Sequence, residues 1–327
     1  MKFVSWKFIK YRTDRVNEPN YYGNDFTVSA QPTWRIAQDP LTLNNMDKPS
    51  DSYFNYEKNE MYRSQIAFIS FGKSKLIERI VGLSKNKFVM DMAAGKGQDL
   101  YRYIPHFKKG LFLDIDSLAI STLMTRRSEL IRDPKYSAFT METYVGVEDL
   151  TKPKDEIYER IQEYLEPHKP GFINCNLAIH YLVYDEYHMR NFIGLVNQCL
   201  DANGIFSFTT FNGKKIAELI ENGEWKVHQD EVLKYKIVKK YQGDWSMGST
   251  ISVKLPFSDD MYDEGLVDIE MLVREFGKFG FELLAEGSMG DYLSSFGNNS
   301  KKHAQNLSAD DIEYASLYHY CILKKKN

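Results

Sequence analysis

The segment Asp91-Met92-Ala93-Ala94-Gly95-Lys96-Gly97 joins a short β-type run, Phe88 to Met92, to a helical stretch beginning at Gln98. A glycine-bearing turn between strand and helix lets the backbone approach a nucleotide closely, and open α/β sheets bind ligands at the carboxyl ends of their strands. A second acid, Asp114, closes the next apolar run, where a carboxylate can accept hydrogen bonds from two ribose hydroxyls. The loop lacks the last glycine of Gly-x-Gly-x-x-Gly, since Leu100 stands there, and Lys96 is followed by Gly97 rather than Ser or Thr. A dinucleotide pyrophosphate and a phosphate-binding loop are both disfavoured. An acid at Asp91 with small residues at Ala93, Ala94 and Gly95 suits a ligand with a cationic amino-acid tail and no phosphate, which is S-adenosylmethionine. Its adenine is expected near Asp149 and Leu150; the other reading of Asp149 is a loop or helix-capping carboxylate.

The elements that must hold these residues follow from apolar periodicity. A helix is predicted over Gln65 to Val81, and further apolar runs at Gly110 to Asp116, Ala138 to Val145, Phe172 to Ile179 and Gly204 to Phe211 alternate with helical stretches Ser117 to Ile131, Glu156 to Leu165 and Glu186 to Leu200. Such alternation implies an α/β fold, a mostly parallel sheet with helices on both faces. After residue 211 antiparallel strands are expected (Val232 to Tyr241, Ser249 to Leu255), then a helix (Val267 to Phe279) and a last strand near Tyr318 to Leu323. Residues 1–60 differ in texture, with Pro19, Pro32, Pro40 and Pro49 punctuating weakly periodic sequence, and read as an arm before a domain over 61–327.

Forty-two Lys plus Arg against 45 Asp plus Glu gives a net charge of -3, so a nucleic-acid partner must be gripped locally rather than by a bulk field. No apolar run approaches the roughly 20 residues of a membrane helix, and the start of the chain lacks the pattern of a signal peptide. Three widely spaced cysteines, Cys175, Cys199 and Cys321, argue against a disulfide framework and a zinc cluster and for a reducing cytosolic compartment. His188, His228, His303 and His319 show no metal-ligand spacing, so no metal is expected.

Asn176-Leu177-Ala178-Ile179-His180-Tyr181 closes the fourth strand, and here the chain resembles the messenger RNA cap (guanine-N7) methyltransferases, a Rossmann-like, S-adenosylmethionine-dependent family. That family has Gln, three mostly apolar residues, then His-Tyr; Asn176 replaces the Gln, while His180 and Tyr181 match. Lys73 in Lys73-Ser74-Lys75-Leu76-Ile77 resembles the family lysine that contacts the methyl donor, and Asp91 to Leu100 resembles its cofactor loop. The resemblance implies cofactor contacts from Lys73, Asp91, Ala93, Gly95, Asp114, Asp149, Leu150, Asn176 and Tyr181. It puts Lys96, Arg102 and Arg126 near the cap phosphates, and His180, Glu264 and Tyr318 at the guanine. Ala93 at a glycine position, Ile69 and Ser70 at two Asn positions, Phe211 at a Pro position and Gly265 at a Tyr position depart from the pattern. Separately, Trp6 to Arg15 with Pro19-Asn20 resembles the last motif of RNA guanylyltransferases, in their C-terminal OB domain.

These resemblances imply methyl transfer from S-adenosylmethionine, leaving S-adenosylhomocysteine, to guanine N7 of the 5′ GpppN cap, without metal or general base. His180, Tyr181, Glu264 and Tyr318 would position reactants rather than move protons. They further imply a C-terminal piece of a multifunctional capping enzyme of a large cytoplasmic DNA virus, of the poxvirus or African swine fever virus kind. Capped RNA and upstream guanylyltransferase and triphosphatase domains of the same chain would be its partners, with room for a stimulatory subunit. Its place would be the host cytoplasm, a virus factory or the virion. A catalytically idle capped-RNA or protein-binding module is the alternative, kept open by Asn176 and Ala93; a small-molecule methyltransferase is another, and a nicotinamide dehydrogenase is disfavoured by the loop.

Overall fold

In a computed structural model the described residues are 60–256 and 260–326. The expectation of a guanylyltransferase-like arm over residues 1–60 lies outside them, Glu60 excepted. Seven strands form the main sheet: β1 (Phe88–Met92), β2 (Lys109–Asp114), β3 (Glu142–Val147), β4 (Phe172–Asn176), β5 (Ile205–Phe211), β10 (Phe281–Ser288) and β11 (Tyr318–Lys325), in the order β10-β11-β5-β4-β1-β2-β3. The first five are parallel, and β11 runs antiparallel to both β5 and β10.

Side chains alternate between the faces of a strand, so each strand serves two layers. Met90, Met92, Leu111, Leu113, Ile173, Cys175, Phe206 and Phe208 pack with α4 (Lys154–Leu165), α5 (Glu186–Cys199) and α7 (Ile269–Lys278) in one buried cluster. The intervening residues face the other layer, where Tyr103 of the short α2 (Leu100–Tyr103) lies against Phe112 and Phe172. This second layer also carries α1 (Arg63–Leu83) and α3 (Ser117–Arg132). On that face Asp91, Asn174 and Ser207 are register partners across β1, β4 and β5. Buried polar groups need partners, and here they serve one another: the Asn174 amide donates to the Tyr103 hydroxyl at 2.7 Å and accepts from Ser207 at 2.9 Å.

The C-terminal region is not a simple appendage. Between β5 and α7 the chain, after α6 (Gly213–Leu219), builds a separate four-stranded antiparallel sheet from β6 (Glu224–Gln229), β7 (Val232–Lys239), β8 (Thr250–Lys254) and β9 (Met261–Gly265). It then returns through β10 and β11 into the main sheet. After β10 come α8 (Leu293–Asn299), α9 (Lys301–Gln305) and α10 (Ala309–Ser316). The periodicity predicts β7, β8, α7 and β11 but misses β6, β9 and β10. The last two are short or exposed enough that apolar alternation is weak.

Two ties fix the inserted sheet. The buried Lys234 ammonium on β7 pairs with Asp311 of α10 at 2.6 Å, and Tyr235 stacks on Tyr314 with ring centres 4.3 Å apart. The turn before β8 presses Gly248 onto the segment after β4: a Cβ there would lie 2.0 Å from the Tyr184 carbonyl oxygen, and its φ is +80°. Only glycine tolerates both the backbone angle and the approach. Gly248→Ala is therefore expected to cost at least about 1–2 kcal/mol in denaturant unfolding; an unchanged midpoint would show that the turn can leave Tyr184 freely.

Candidate functional site

At the carboxyl ends of the parallel strands lies a cavity of about 580 Å³. Topology explains why it gathers the residues it does. The ends of β1, β2 and β4 supply Asp91, Asp114 and Asn176; β11, being antiparallel, begins at this same end, so Tyr318 pairs with Phe211 at the end of β5. The inserted sheet brings Tyr262 and Glu264 of β9 over the opening.

The loop after β1 is tied to β2: Ala94 N–H donates to the Leu113 carbonyl, and Gly95 N–H donates to Asp114 Oδ2 at 2.7 Å. Asp114 Oδ1 accepts from Asp116 N–H, and each oxygen keeps a second lone pair for a hydroxyl donor. The loop turns by left-handed residues at Ala93, Gly95 and Gly97, with φ of 63°, 52° and 67°. A left-handed backbone at Ala93, a non-glycine residue, costs about 1 kcal/mol. Leu177, just past β4, is likewise left-handed with φ of 58° and lines the cavity. Such strain persists where surrounding contacts over-determine the backbone.

A buried charge network beside the loop centres on Asp99, which spacing does not single out. Its buried carboxylate accepts from Lys73 at 3.2 Å, from Arg102 and from the Asn176 amide at 3.0 Å. Burial alone raises the Asp99 pKa, but Lys73 and Arg102 outweigh it and hold the group at about 2. The Asn176 amide is oriented from its other end by Thr209, whose hydroxyl donates at 3.0 Å. Asp91, by contrast, is raised well above the carboxylate range by burial and by its neighbour Asp99. Burial also raises Asp114. An ammonium or sulfonium group arriving here meets acids whose ionised forms it would stabilise.

At the other end of the cavity sit His180 and Glu264, 5% and 5% exposed. His180 Nε2 and Glu264 Oε2 are 3.8 Å apart, beyond a hydrogen bond, and Nε2 has no partner. A buried polar atom left unpaired in a cavity marks where a ligand or water completes the set. Burial lowers the His180 pKa to about 3 and raises that of Glu264 to about 8. Around them the rings of His180 and Tyr181 are 3.9 Å apart, and Phe211 stacks on Tyr318 at 4.3 Å and 20°.

The structure brings together Lys73, Asp91, Ala93, Gly95, Lys96, Asp114, Asn176, His180, Tyr181, Glu264 and Tyr318 of the expected residues. It adds Asp99, Asp116, Phe211 and Tyr262. Tyr262 was findable, because a residue two before Glu264 on a strand shares its face. Three expectations change. Arg102, expected at a phosphate, is taken up within the fold: its five N–H groups donate to Ser74, Gln98, Asp99 and twice to Ser70, and it is 8% exposed in the lining of a neighbouring cavity. Asp149 does not line the cavity; it accepts from the Thr151 amide and hydroxyl, the loop role that the sequence left open. Leu150 is buried in the apolar cluster. Arg126 lines a neighbouring cavity. Elsewhere, strand pairing brings Glu286, His319 and Cys321 within 4.8 Å, a grouping that chain spacing does not show and that lies off the cavity lining.

Comparisons with known proteins show the family and the fold. A family model for the mRNA (guanine-N(7))-methyltransferase domain matches residues 66–326. The mRNA-capping enzyme of African swine fever virus (isolate Warthog/Namibia/Wart80/1980) is 34% identical over 338 residues, covering 98% of this chain. The chain spans 38% of that relative's length. The mRNA cap guanine-N(7) methyltransferase of Caenorhabditis elegans is 28% identical over 189 residues, 57% of this chain and 46% of that protein. Among solved structures, a Listeria monocytogenes protein assigned to the S-adenosylmethionine-dependent methyltransferases superposes with a TM-score of 0.52 at 12% identity, over 80% of this chain and all of that one. The CcbJ methyltransferase from Streptomyces caelestis does so with a TM-score of 0.50 at 11% identity, over 79% and 95%. At these identities the likeness establishes the fold.

Asp99→Asn removes the charge that Lys73 and Arg102 share, and should destabilise the protein by about 3–5 kcal/mol at neutral pH. The folded pKa of about 2 lies below the unfolded value, so the wild-type advantage is full above about pH 4 and fades as pH falls toward 2. Urea midpoints for both proteins between pH 7 and 3 check this; a gap independent of pH would mean that Asp99 acts through shape alone.

Proposed function

We propose that this chain, which belongs to the mRNA (guanine-N7)-methyltransferase family, transfers methyl from S-adenosylmethionine to N7 of the cap guanine, and that the cavity described above performs this transfer by positioning and electrostatics, without metal or general base. Asp91, Asn176 and the loop from Ala93 to Gly95 would hold the amino-acid end of the cofactor, Asp114 its ribose hydroxyls, and Asp116 with Ala119 and Ile115 would face its adenine. Bound S-adenosylmethionine supplies an electrophilic methyl group on a cationic sulfur.

The chain's own residues supply the rest. Guanine N7 carries a free lone pair at neutral pH, so no proton has to be removed before it reacts, and fixing the two reactants in near-attack geometry can lower the barrier by about 7–11 kcal/mol. The single observation that carries the assignment is the buried His180 and Glu264 lining the cavity together, 3.8 Å apart, with His180 Nε2 left without a hydrogen-bond partner. Glu264, once ionised, can accept from guanine N1–H and the exocyclic amine. Methylation leaves guanine positively charged, so this carboxylate is worth more at the transition state than in the ground state. His180, held neutral by its burial, can orient the base without adding a like charge beside it. Phe211 and Tyr318, already stacked on one another, and Tyr181 offer the purine an aromatic face. Lys96 and Arg126 would take the triphosphate bridge, a role Arg102 cannot share.

The finer setting is proposed on the same footing. Upstream guanylyltransferase and triphosphatase domains would belong to the same chain, with residues 1–60 the end of the former's OB domain and 61–327 the methyltransferase domain. No described helix is long and apolar enough to cross a membrane; the host cytoplasm, a virus factory or the virion is the place that membership of a viral capping enzyme would give it. A stimulatory subunit would act on this domain from outside the cavity.

The test is incubation with labelled S-adenosylmethionine and GpppA-ended RNA, followed by nuclease digestion and cap chromatography. Labelled m7GpppA is expected; cofactor binding without transfer would favour an idle binder. Guanine recognition needs ionised Glu264, so kcat/KM for the cap should fall about tenfold per pH unit below pH 8. Glu264→Gln should lower kcat/KM about a hundredfold at pH 8 and flatten this limb. A limb that survives the substitution would assign the titration to another group.

A further inference from the structure

Beside the cofactor cavity lies a second one of about 620 Å³. Lys73, Gln98, Asp99, Leu177 and Tyr318 line both, so the two are contiguous. Resting on the cap-methylation reading, we propose that this second cavity is the subsite for the first transcribed nucleoside of the capped RNA, the triphosphate bridge crossing the lining that the two cavities share.

Size and chemistry both point there. The first cavity must hold the cofactor and the guanine, which leaves the rest of a GpppN end to be accommodated next to it. The second cavity is walled by Ile66 and Ile69 of α1 and by Leu130 of α3, with Tyr101 between them. Ile66 is 48% exposed. An aliphatic side chain left open at the mouth of a cavity favours a flat apolar ligand face, and a nucleobase presents one.

The charges divide the cavity in two. Arg126 lies one helical turn before Leu130 and therefore on the same face of α3. Among the described residues no hydrogen bond or ion pair engages it, whereas Lys73 and Arg102 are both committed to Asp99. Arg126 is thus the lining cation available to a phosphate. Farther along the helix Glu129 and Asp133 stand at the exposed rim, where their carboxylates disfavour a run of phosphates. A neutral nucleoside attached to a phosphate at the Arg126 end satisfies both halves; an extended polyanion does not.

The full chain is assayed with GpppA and with GTP, an acceptor that carries the guanosine triphosphate but no second nucleoside. In the Ile66→Ala, Leu130→Ala double variant kcat/KM for GpppA should fall about tenfold through the loss of buried aliphatic contact, while GTP methylation changes less than twofold. Ile66→Ser alone, at its exposed position, should show the same preference loss of a few-fold and serves if the double variant does not fold. Parallel losses on both acceptors, or an unchanged ratio, would overturn the subsite. If wild type binds S-adenosylmethionine by calorimetry and methylates neither acceptor, the methyl-transfer reading itself falls, and the subsite with it.

Discussion

The site depends on one buried carboxylate. Asp99 collects Lys73 from α1, Arg102 from the turn that follows the glycine loop, and Asn176 from the end of β4. Three segments distant in sequence are thereby locked at the floor of the cavity. Removing any partner of a buried ion pair leaves the others charged and unsolvated, so the arrangement is held together by the cost of taking it apart. The loop carrying Ala93 is held separately, by its ties to Leu113 and Asp114, and Leu177 directly follows the anchored Asn176; both keep left-handed backbones that neither residue favours by itself.

The two ends of the cavity follow opposite electrostatic rules. Near the glycine loop, Asp91, Asp99, Asp114 and Asp116 outnumber Lys73 and Lys96, which favours a cationic ligand. At the far end, burial without a counter-charge keeps His180 neutral and makes Glu264 reluctant to ionise. In the proposed reaction, a base whose edge donates hydrogen bonds and whose ring gains positive charge would draw that carboxylate into its ionised form. Cations at the cavity are few and local, which is how, on the proposed reading, a chain of net charge -3 would engage a phosphate-rich RNA end.

Much of the cofactor half was legible from local pattern. Asp91, Gly95, Asp114 and Asn176 sit at the ends of parallel strands, and parallel strands in an alternating α/β chain bring their carboxyl ends together whatever the details of packing. At the two positions where the sequence departs from the family pattern, Ala93 takes a left-handed backbone in the loop and Asn176 makes a two-ended hydrogen-bond link between Asp99 and Thr209. Arg102 and Asp99 were less readable. Their spacing is that of an ordinary surface ion pair on a helix, and nothing in the chain says that α1 will cover them.

From the sequence alone came the alternating elements, the glycine loop, the acids at strand ends and the resemblance that joined His180, Glu264 and Tyr318 to one reaction. These are matters of period, local turn chemistry and residue type. Only the tertiary structure decided that β9 would carry Glu264 over the cavity, that antiparallel β11 would begin at the ligand end and seat Tyr318 on Phe211, and that Asp149 would turn into its own loop. Strand direction and insertion depend on pairing between segments tens of residues apart. The shifted pKa values of His180, Glu264 and Asp99 depend in turn on the burial that this pairing creates, a property that no residue carries before the chain has folded.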